Sequence, residues 1–528
     1  MTTPKPNRRR FLQGCTFVAS AAAAGLTPAA QPAGEAATSI VRFPTIGTSA
    51  AGRATLLAID DYHLPLRKNL CYYLSKPAVR PEPVLKPERE NPAAPDHVAA
   101  HFYGTVLHEA GRFRLWYYSL SWKAKGQFQE GPICYAESDD GLHFTKPVLE
   151  QVDVQGSRRN NAIALPDDCT QGAFLLRDDD DPDPARRYKM VYEYRPSHRR
   201  WMSVRTATSP DGLHWTAGPE SPVDEGLEPC SFYKHGGLYY TNAQFAPALI
   251  SEGGHKGGRQ GFVWVTPDFK SWIQESGESF LLAEPANTAG RGLDKPYDQV
   301  HLGVAPVSLG NALVGLYCIW HAKPNPNDWF GQGTTSGDWG LVVSHDGQHF
   351  REAVKGHVFL HRDESRPVLP PEVRFENILC QGNGIVNVGE ETRIYHGRWV
   401  NSLRLEDYYA EIGLATLPRD RWGALGLFPG AQEGSVWSAP VILPLHAELT
   451  LNAEGAAGMR IEIADERFQS IPEFSGEKAG SCLSAGGLAA PVKWPGDIAS
   501  LAGKTVRLRA VLRRGSHPEP RLYAIYLK

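Results

Sequence analysis

The stretch SPDGLHWTAGP, residues 209–219, decides how the chain folds. A near copy, SDDGLHFTKP, occupies 138–147, and SHDGQHF occupies 344–350. Asp-Gly is a tight-turn dipeptide, because glycine accepts a positive φ and aspartate bonds to its own backbone. The aromatic residue that follows can pack at the start of the next strand. Each copy therefore reads as a hairpin turn between outer strands. Two looser copies, TPDFKSW (266–272) and LPRDRW (417–422), follow the same grammar. The turn aspartates are Asp140, Asp211, Asp268, Asp346 and Asp420, with 57 to 78 residues from one to the next. Five strand-rich units of similar length are a repeat signature.

The sequence between the turns is regular too. Apolar or aromatic strands precede each turn: 111–120, 186–194, 236–245, 311–320 and 391–399. A further strand leads into each: 132–138, 202–209, 261–266, 340–344 and 411–417. An earlier one opens each unit: 104–110, 161–167, 231–235, 301–307 and 382–388. Each unit then holds about four short antiparallel strands, which is one propeller blade. No amphipathic helical periodicity competes. The expected fold is all-β: a five-bladed β-propeller over 40–430, followed by a small C-terminal β-sandwich over 432–528. There, AELTLNAE, GMRIEIADE, TVRLRAVLR and LYAIYLK alternate apolar and polar residues.

The first 35 residues read as an export signal rather than fold. NRRRFLQG (7–14) pairs arginines ahead of a mild apolar run, as a twin-arginine signal does. This predicts a periplasmic or extracellular protein with no integral membrane segment once residues 1–35 are removed. The 528 residues carry a formal charge of −3, with no basic stripe for nucleic acid. Thirteen Trp, 20 Tyr and 20 Phe suit a carbohydrate-binding surface as well as strands. Eight cysteines, none in Cys-x-x-Cys, exclude zinc-ribbon and dithiol redox readings. Removal of the signal takes Cys15 and leaves seven, most expected as buried apolar residues, with one or two disulfides open.

The turns and the five-unit pattern resemble the five-bladed propellers of glycoside hydrolase families 32 and 43. LEPCSFYKHGGLYY (227–240) is similar to their segment around the general acid, and that match implies Glu228 in the role. CQGNGIVNVGEETRIYHGRW (380–399) is similar to their fifth blade. The chain departs from the pattern where the family has other acids and a histidine. It places His101-Phe102-Tyr103 in the first blade, Asn160 and Asn161 in the second, and Asn383 in the fifth.

Glycoside hydrolysis needs two carboxyl groups about the scissile bond, one kept protonated. Propeller ligands sit at a channel mouth, so the polar residues at inner-strand starts are the candidates. They are Asp96 and His101; Arg159, Asn160 and Asn161; Asp224 and Glu228; Asp298 and His301; Glu376, Gln381 and Asn383. Glu228 is expected as acid, with Asp298 and Glu376, then Asp96, as base or nucleophile. The others are expected to bind sugar hydroxyls or a substrate carboxylate. The expected activity is an exported glycoside hydrolase acting on an oligo- or polysaccharide. Alternatives are a non-catalytic carbohydrate-binding propeller and a polysaccharide lyase using His101, His301 and tyrosines. No cofactor is expected. The run RDDDDPDP (177–184) leaves a structural calcium open. The motif histidines His143, His214 and His349 are expected to be turn residues.

Overall fold

The structure is a computed structural model. It describes residues 46, 53–124, 127–167, 169–195, 202–220, 222–223, 228–245, 259–282, 297–323, 334–515 and 518–528. The twin-arginine stretch and Asp224 lie outside these residues. The described chain is all-β, as expected, and its helical pieces are short 3-10 turns. None is long and apolar enough to cross a membrane.

Five antiparallel meanders follow one another. The first runs through Ala99–Glu109, Arg112–Ala124 and Gln127–Ser138. The second comprises Gln171–Arg177, Tyr188–Tyr194, Ser203–Ser209 and Thr216–Glu220. The third comprises Glu228–His235, Leu238–Phe245, Gln260–Thr266 and Gly277–Phe280. The fourth is Tyr297–Ser308, Leu313–Lys323 and Thr334–Ser344, with two short outer pieces. The fifth opens with Glu376–Cys380 and Ile385–Val388 and continues through Glu391–Asn401 and Tyr409–Pro418. Its outer strand comes from the other end of the chain: Ala78 and Val79 pair with Thr416 and Ala415.

The inner strands touch in circuit. Ala99–Glu109 meets Gln171–Arg177, which meets Glu228–His235, which meets Tyr297–Ser308. Ile385–Val388 touches both Tyr297–Ser308 and Ala99–Glu109. Side chains stitch this circuit to backbone. Thr105 Oγ1 donates to the Ala173 carbonyl at 2.7 Å and accepts from the Leu175 N–H at 3.0 Å. Ser231 Oγ donates to the Val304 carbonyl at 2.6 Å. Buried backbone groups must be paired, and where neighbouring inner strands splay apart, side chains do the pairing.

The repeated turn explains itself. Ser138 Oγ donates to Asp140 Oδ1 at 2.8 Å and accepts the Gly141 N–H at 2.9 Å. Asp140 Oδ1 accepts the Leu142 and His143 N–H groups, and Oδ2 meets His143 Nδ1 at 2.7 Å. The copies at Ser209–His214 and Ser344–His349 carry the same set. Each turn also clips its unit to the one before. Trp116 Nε1 of the first meander donates to the Gly212 carbonyl at 2.8 Å. Tyr395 of the fifth donates to Gly141 at 2.9 Å, and Tyr233 of the third to Gly347 at 2.7 Å. A Cβ on Gly212 would lie 2.9 Å from the Trp116 ring, so the glycine serves both φ, +79°, and contact.

Two expectations change. Residues 161–167 are not the second unit's inner strand; that strand is Gln171–Arg177. Ala162 instead bridges Cys134 along the outer edge of the first meander. A Pro inside the run and Asn residues ahead of it favour this loop course. The tail strands also recruit the start of the chain. Ala54–Leu57 pairs with Arg521–Leu527, Leu66–Lys68 with Glu433–Trp437, and Leu70–Leu74 with Gly423–Leu427. Residues expected at the opening of the propeller are thus bonded into a twelve-stranded sheet with the tail. Cys71, Cys134, Cys230, Cys318, Cys380 and Cys482 are thiols, so no disulfide joins these six.

Candidate functional site

Strand direction places one set of strand ends together. The starts of Ala99–Glu109 and Gln127–Ser138 pair with the end of Arg112–Ala124, and Arg195, just past Tyr188–Tyr194, bonds Glu130, so these ends form one rim, within reach of the charge of Glu228 at the start of Glu228–His235. An aromatic and imidazole floor lies inside it. His101 Nε2 meets the Tyr408 hydroxyl at 2.8 Å, and the His101 ring stacks on Tyr118 at 5.4 Å. His301 lies 4.3 Å from Trp320 and 6.2 Å from Tyr103, centroid to centroid. Tyr103 is half-buried and packs against three core clusters. Burial holds both imidazoles neutral: His101 falls to about 3, and His301 falls well below the usual histidine value. Nδ1 of each is buried without a hydrogen-bond partner.

The rim carries carboxyl groups in unlike surroundings. Glu228 opens the third meander, half-buried, opposite Gln244 across the strand pair. Glu193, near the end of Tyr188–Tyr194, is 4 % exposed, and its Oε1 has no hydrogen-bond partner. Burial pushes the Glu193 carboxyl well above the usual carboxylate range, and the charges of Glu228 and Glu130 push it further, against Arg195. Glu130 pairs with Arg195 at 3.0 Å. Glu130 also lines a cavity of about 350 Å³ with Trp122, Ser121, Asp153, Asp167 and Thr170. Trp122 is half-buried there and stacks on Phe128 at 4.8 Å, and Phe128 lies 4.8 Å from Tyr408.

Across the fourth and fifth meanders runs a chain of charges. Asp298, exposed, meets His321 Nδ1 at 2.7 Å, and His321 Nε2 meets Asp338 at 3.0 Å. Arg362 Nη1 donates to Asp338 at 2.8 Å, and its Nε lies 3.8 Å from Glu376. The hydrogen bonds to Asp298 and Asp338 raise His321 to about 9, so it is charged at neutral pH. Asp298 and His321 line a cavity of about 420 Å³ with Gln260, Tyr317, Ile319 and Lys355.

The other candidates sit elsewhere or do other work. Asp96 is fully buried; its Oδ2 accepts from Lys146 at 2.6 Å and Tyr117 at 2.9 Å. Asn161 Nδ2 donates to that Tyr117 hydroxyl and to the Tyr135 carbonyl. Asn160 bonds to its own loop at Val152 and Ser157, and Arg159 is exposed beside it. Gln381 Nε2 donates to the His301 and Gly303 carbonyls. Asn383 Nδ2 donates to Leu175 and Phe232, and its Oδ1 accepts the Phe232 N–H at 3.2 Å. These amides tie three inner strands to the fifth meander. The acidic run is matched by cations: Asp178 pairs with Lys189 and Lys234, Asp179 with Arg177, and Asp181 with Lys189 and Arg186.

Glu193 and Glu130 were missed from sequence. Glu193 stands inside YKMVYEY, every residue of which is buried, and reads there as part of a packed strand. The signal was a glutamate near the end of a run of mostly apolar and aromatic residues.

No family model matches the chain. A 127-residue stretch is 32% identical to the uncharacterized protein Rv1502 of Mycobacterium tuberculosis, covering 24% of this chain and 36% of that protein. The match spans about a third of that relative's length. Among solved structures, a glycosyl hydrolase from Bacteroides ovatus is 16% identical at a TM-score of 0.37, covering 66% of this chain and 95% of the other. The β-1,2-mannobiose phosphorylase from Listeria innocua is 13% identical at a TM-score of 0.39, covering 66% and 97%.

Proposed function

We propose that the five meanders are the blades of a propeller, and that their rim processes a glycosidic bond of an oligo- or polysaccharide. The observation that carries this reading is Glu193, buried with Oε1 unbonded and its carboxyl pushed well above the usual carboxylate range, with the charge of the more open Glu228 adding to that push. Two carboxyl groups with unlike environments are what glycosidic acid–base chemistry requires. Glu193 then donates a proton to the leaving oxygen. Glu228 either attacks the anomeric carbon or takes a proton from the attacking water or other acceptor. This exchanges the role expected for Glu228 from sequence, because the deeper carboxyl is the one burial keeps neutral. Trp122 supplies an apolar face for a sugar ring, and the cavity beside Glu130 supplies polar groups for its hydroxyls. Asp298 and Glu376 belong to the charge chain through His321 and Arg362, which suits binding of the next sugar rather than chemistry. Asp96 has no open face. Export through residues 1–35 is part of the same reading, since polymeric glycans lie outside the cell.

The test is digestion of a glycan panel by wild type, Glu193→Gln and Glu228→Gln. Each substitution is expected to lower turnover by about 10²–10⁴-fold while the fold is retained. Turnover by either variant at the wild-type rate removes the pair. A wild type that binds glycans but cleaves none, with or without added phosphate, favours a non-catalytic binding module instead.

A further inference from the structure

Away from the rim, the turn after Ala54–Leu57 meets the fourth meander's outer turn and brings together Asp60, His63 and His345. Asp60 and His63 are 1% and 2% exposed, and the His345 side chain is 17% exposed. Asp60 Oδ2 lies 2.9 Å from His63 Nδ1 and 3.1 Å from His345 Nε2. One donor atom from each residue lies within 4.8 Å of the other two.

These contacts centre on one buried carboxylate. Asp60 Oδ1 is engaged: it accepts the Tyr62 N–H at 2.9 Å and meets His345 Nε2 at 3.2 Å. Asp60 Oδ2 and His63 Nδ1 are both buried, and 2.9 Å apart they face each other. The carboxylate and the two imidazole nitrogens converge on one another, and such a set shares an aim point. Donors at about 2.0–2.2 Å from a tetrahedral cation stand roughly 3.4 Å apart, so the Asp60 oxygen, at 2.9 and 3.1 Å from the two nitrogens, needs to part from each by only a few tenths of an ångström. The imidazoles are supported from outside. Tyr62 stacks on His345 at 4.2 Å, and the His345 carbonyl accepts from His235 Nε2 at 3.0 Å. The nearest positive charge, Arg351, lies 3.8 Å from Oδ1 and pairs with the exposed Asp61.

We propose that Asp60, His63 and His345 form a site for a divalent transition cation of the zinc class, with water in the fourth position. Two imidazoles and one carboxylate select such a cation over calcium or magnesium, which prefer all-oxygen shells. The ion would pin the turn after Ala54–Leu57 to the fourth meander, joining the N-terminal segment to a unit nearly 300 residues later by Asp60 and His345. The site is independent of the glycosidic reading.

The full chain, stripped with a chelator and dialysed, is titrated with zinc chloride, and bound zinc is counted by elemental mass spectrometry. One tightly held equivalent and a raised melting temperature are expected. His63→Ala and His345→Ala should each weaken zinc binding by at least about 100-fold. Wild type that holds no zinc, or variants that hold it as tightly, overturns the site. Should a variant fail to fold, cobalt loading of the wild type decides. The intense visible absorption of four-coordinate cobalt is expected, and the weak spectrum of octahedral cobalt refutes the proposal.

Discussion

Two sets of histidines in this protein share a residue type and nothing else. His143, His214 and His349 sit in the outer turns, more than 70% exposed, each with Nδ1 against the aspartate three residues earlier. His101, His301 and His396 are fully buried, and burial keeps all three neutral, with His101 and His396 lowered to about 3. The turn histidines ride on a structure that the aspartate and serine already build. The buried ones are part of the packing itself: His396 bonds Ser365 Oγ at 2.7 Å, and His101 bonds Tyr408. Position within a motif therefore says little about what a histidine does; what surrounds its ring decides.

The largest break of this comparison is at the clip. Trp116 is wholly buried and holds the Gly212 turn, so Trp116→Ala is expected to cost about 3–5 kcal/mol in urea unfolding. A loss below about 1 kcal/mol would mean that the turns only decorate the sheets.

Acid separates the two sets next. A buried histidine with a depressed pKa binds fewer protons folded than unfolded. Its favourable contribution is therefore present above about 6.5, the unfolded value, and is lost as pH falls below that toward the lowered folded value. Stability should drop between pH 7 and pH 5, and His301→Phe should flatten that slope. Equal slopes in wild type and His301→Phe would show that this imidazole is not held neutral.

The smallest effect lies within a single turn. Asp211→Ala removes the acceptor for two backbone N–H groups and is expected to cost about 1–2 kcal/mol. His214→Ala should stay within about 0.5 kcal/mol, as exposed substitutions do. Thermal melts of the two variants side by side check the ranking, and a reversed order would assign the turn to its histidine.

Legibility followed the range of the interactions. The second and third strands of each unit stand where the apolar runs place them, because alternation and turn chemistry act within a dozen residues. The second unit's inner strand was misplaced, since NAIALPD and QGAFLLR look alike until Cys134 claims Ala162. The amides Asn383 and Gln381 read as ligand groups at strand starts. They proved to hold the carbonyls of strands up to 208 residues away. Glu193 was invisible because a second-strand residue reaches the rim only when its strand's end is carried there. The union of Ala54–Leu74 with the tail was equally hidden, being a pairing between the two ends of the chain.

By itself the sequence determined the all-β class and the internal bonding of the Ser-x-Asp-Gly-x-His turns, because those depend on backbone conformations and neighbours close in sequence. Only the tertiary structure decided which carboxyl is buried, which imidazoles are neutral and which amides face backbone rather than solvent. Those properties depend on what is excluded from water around a group, and that is set by segments hundreds of residues apart.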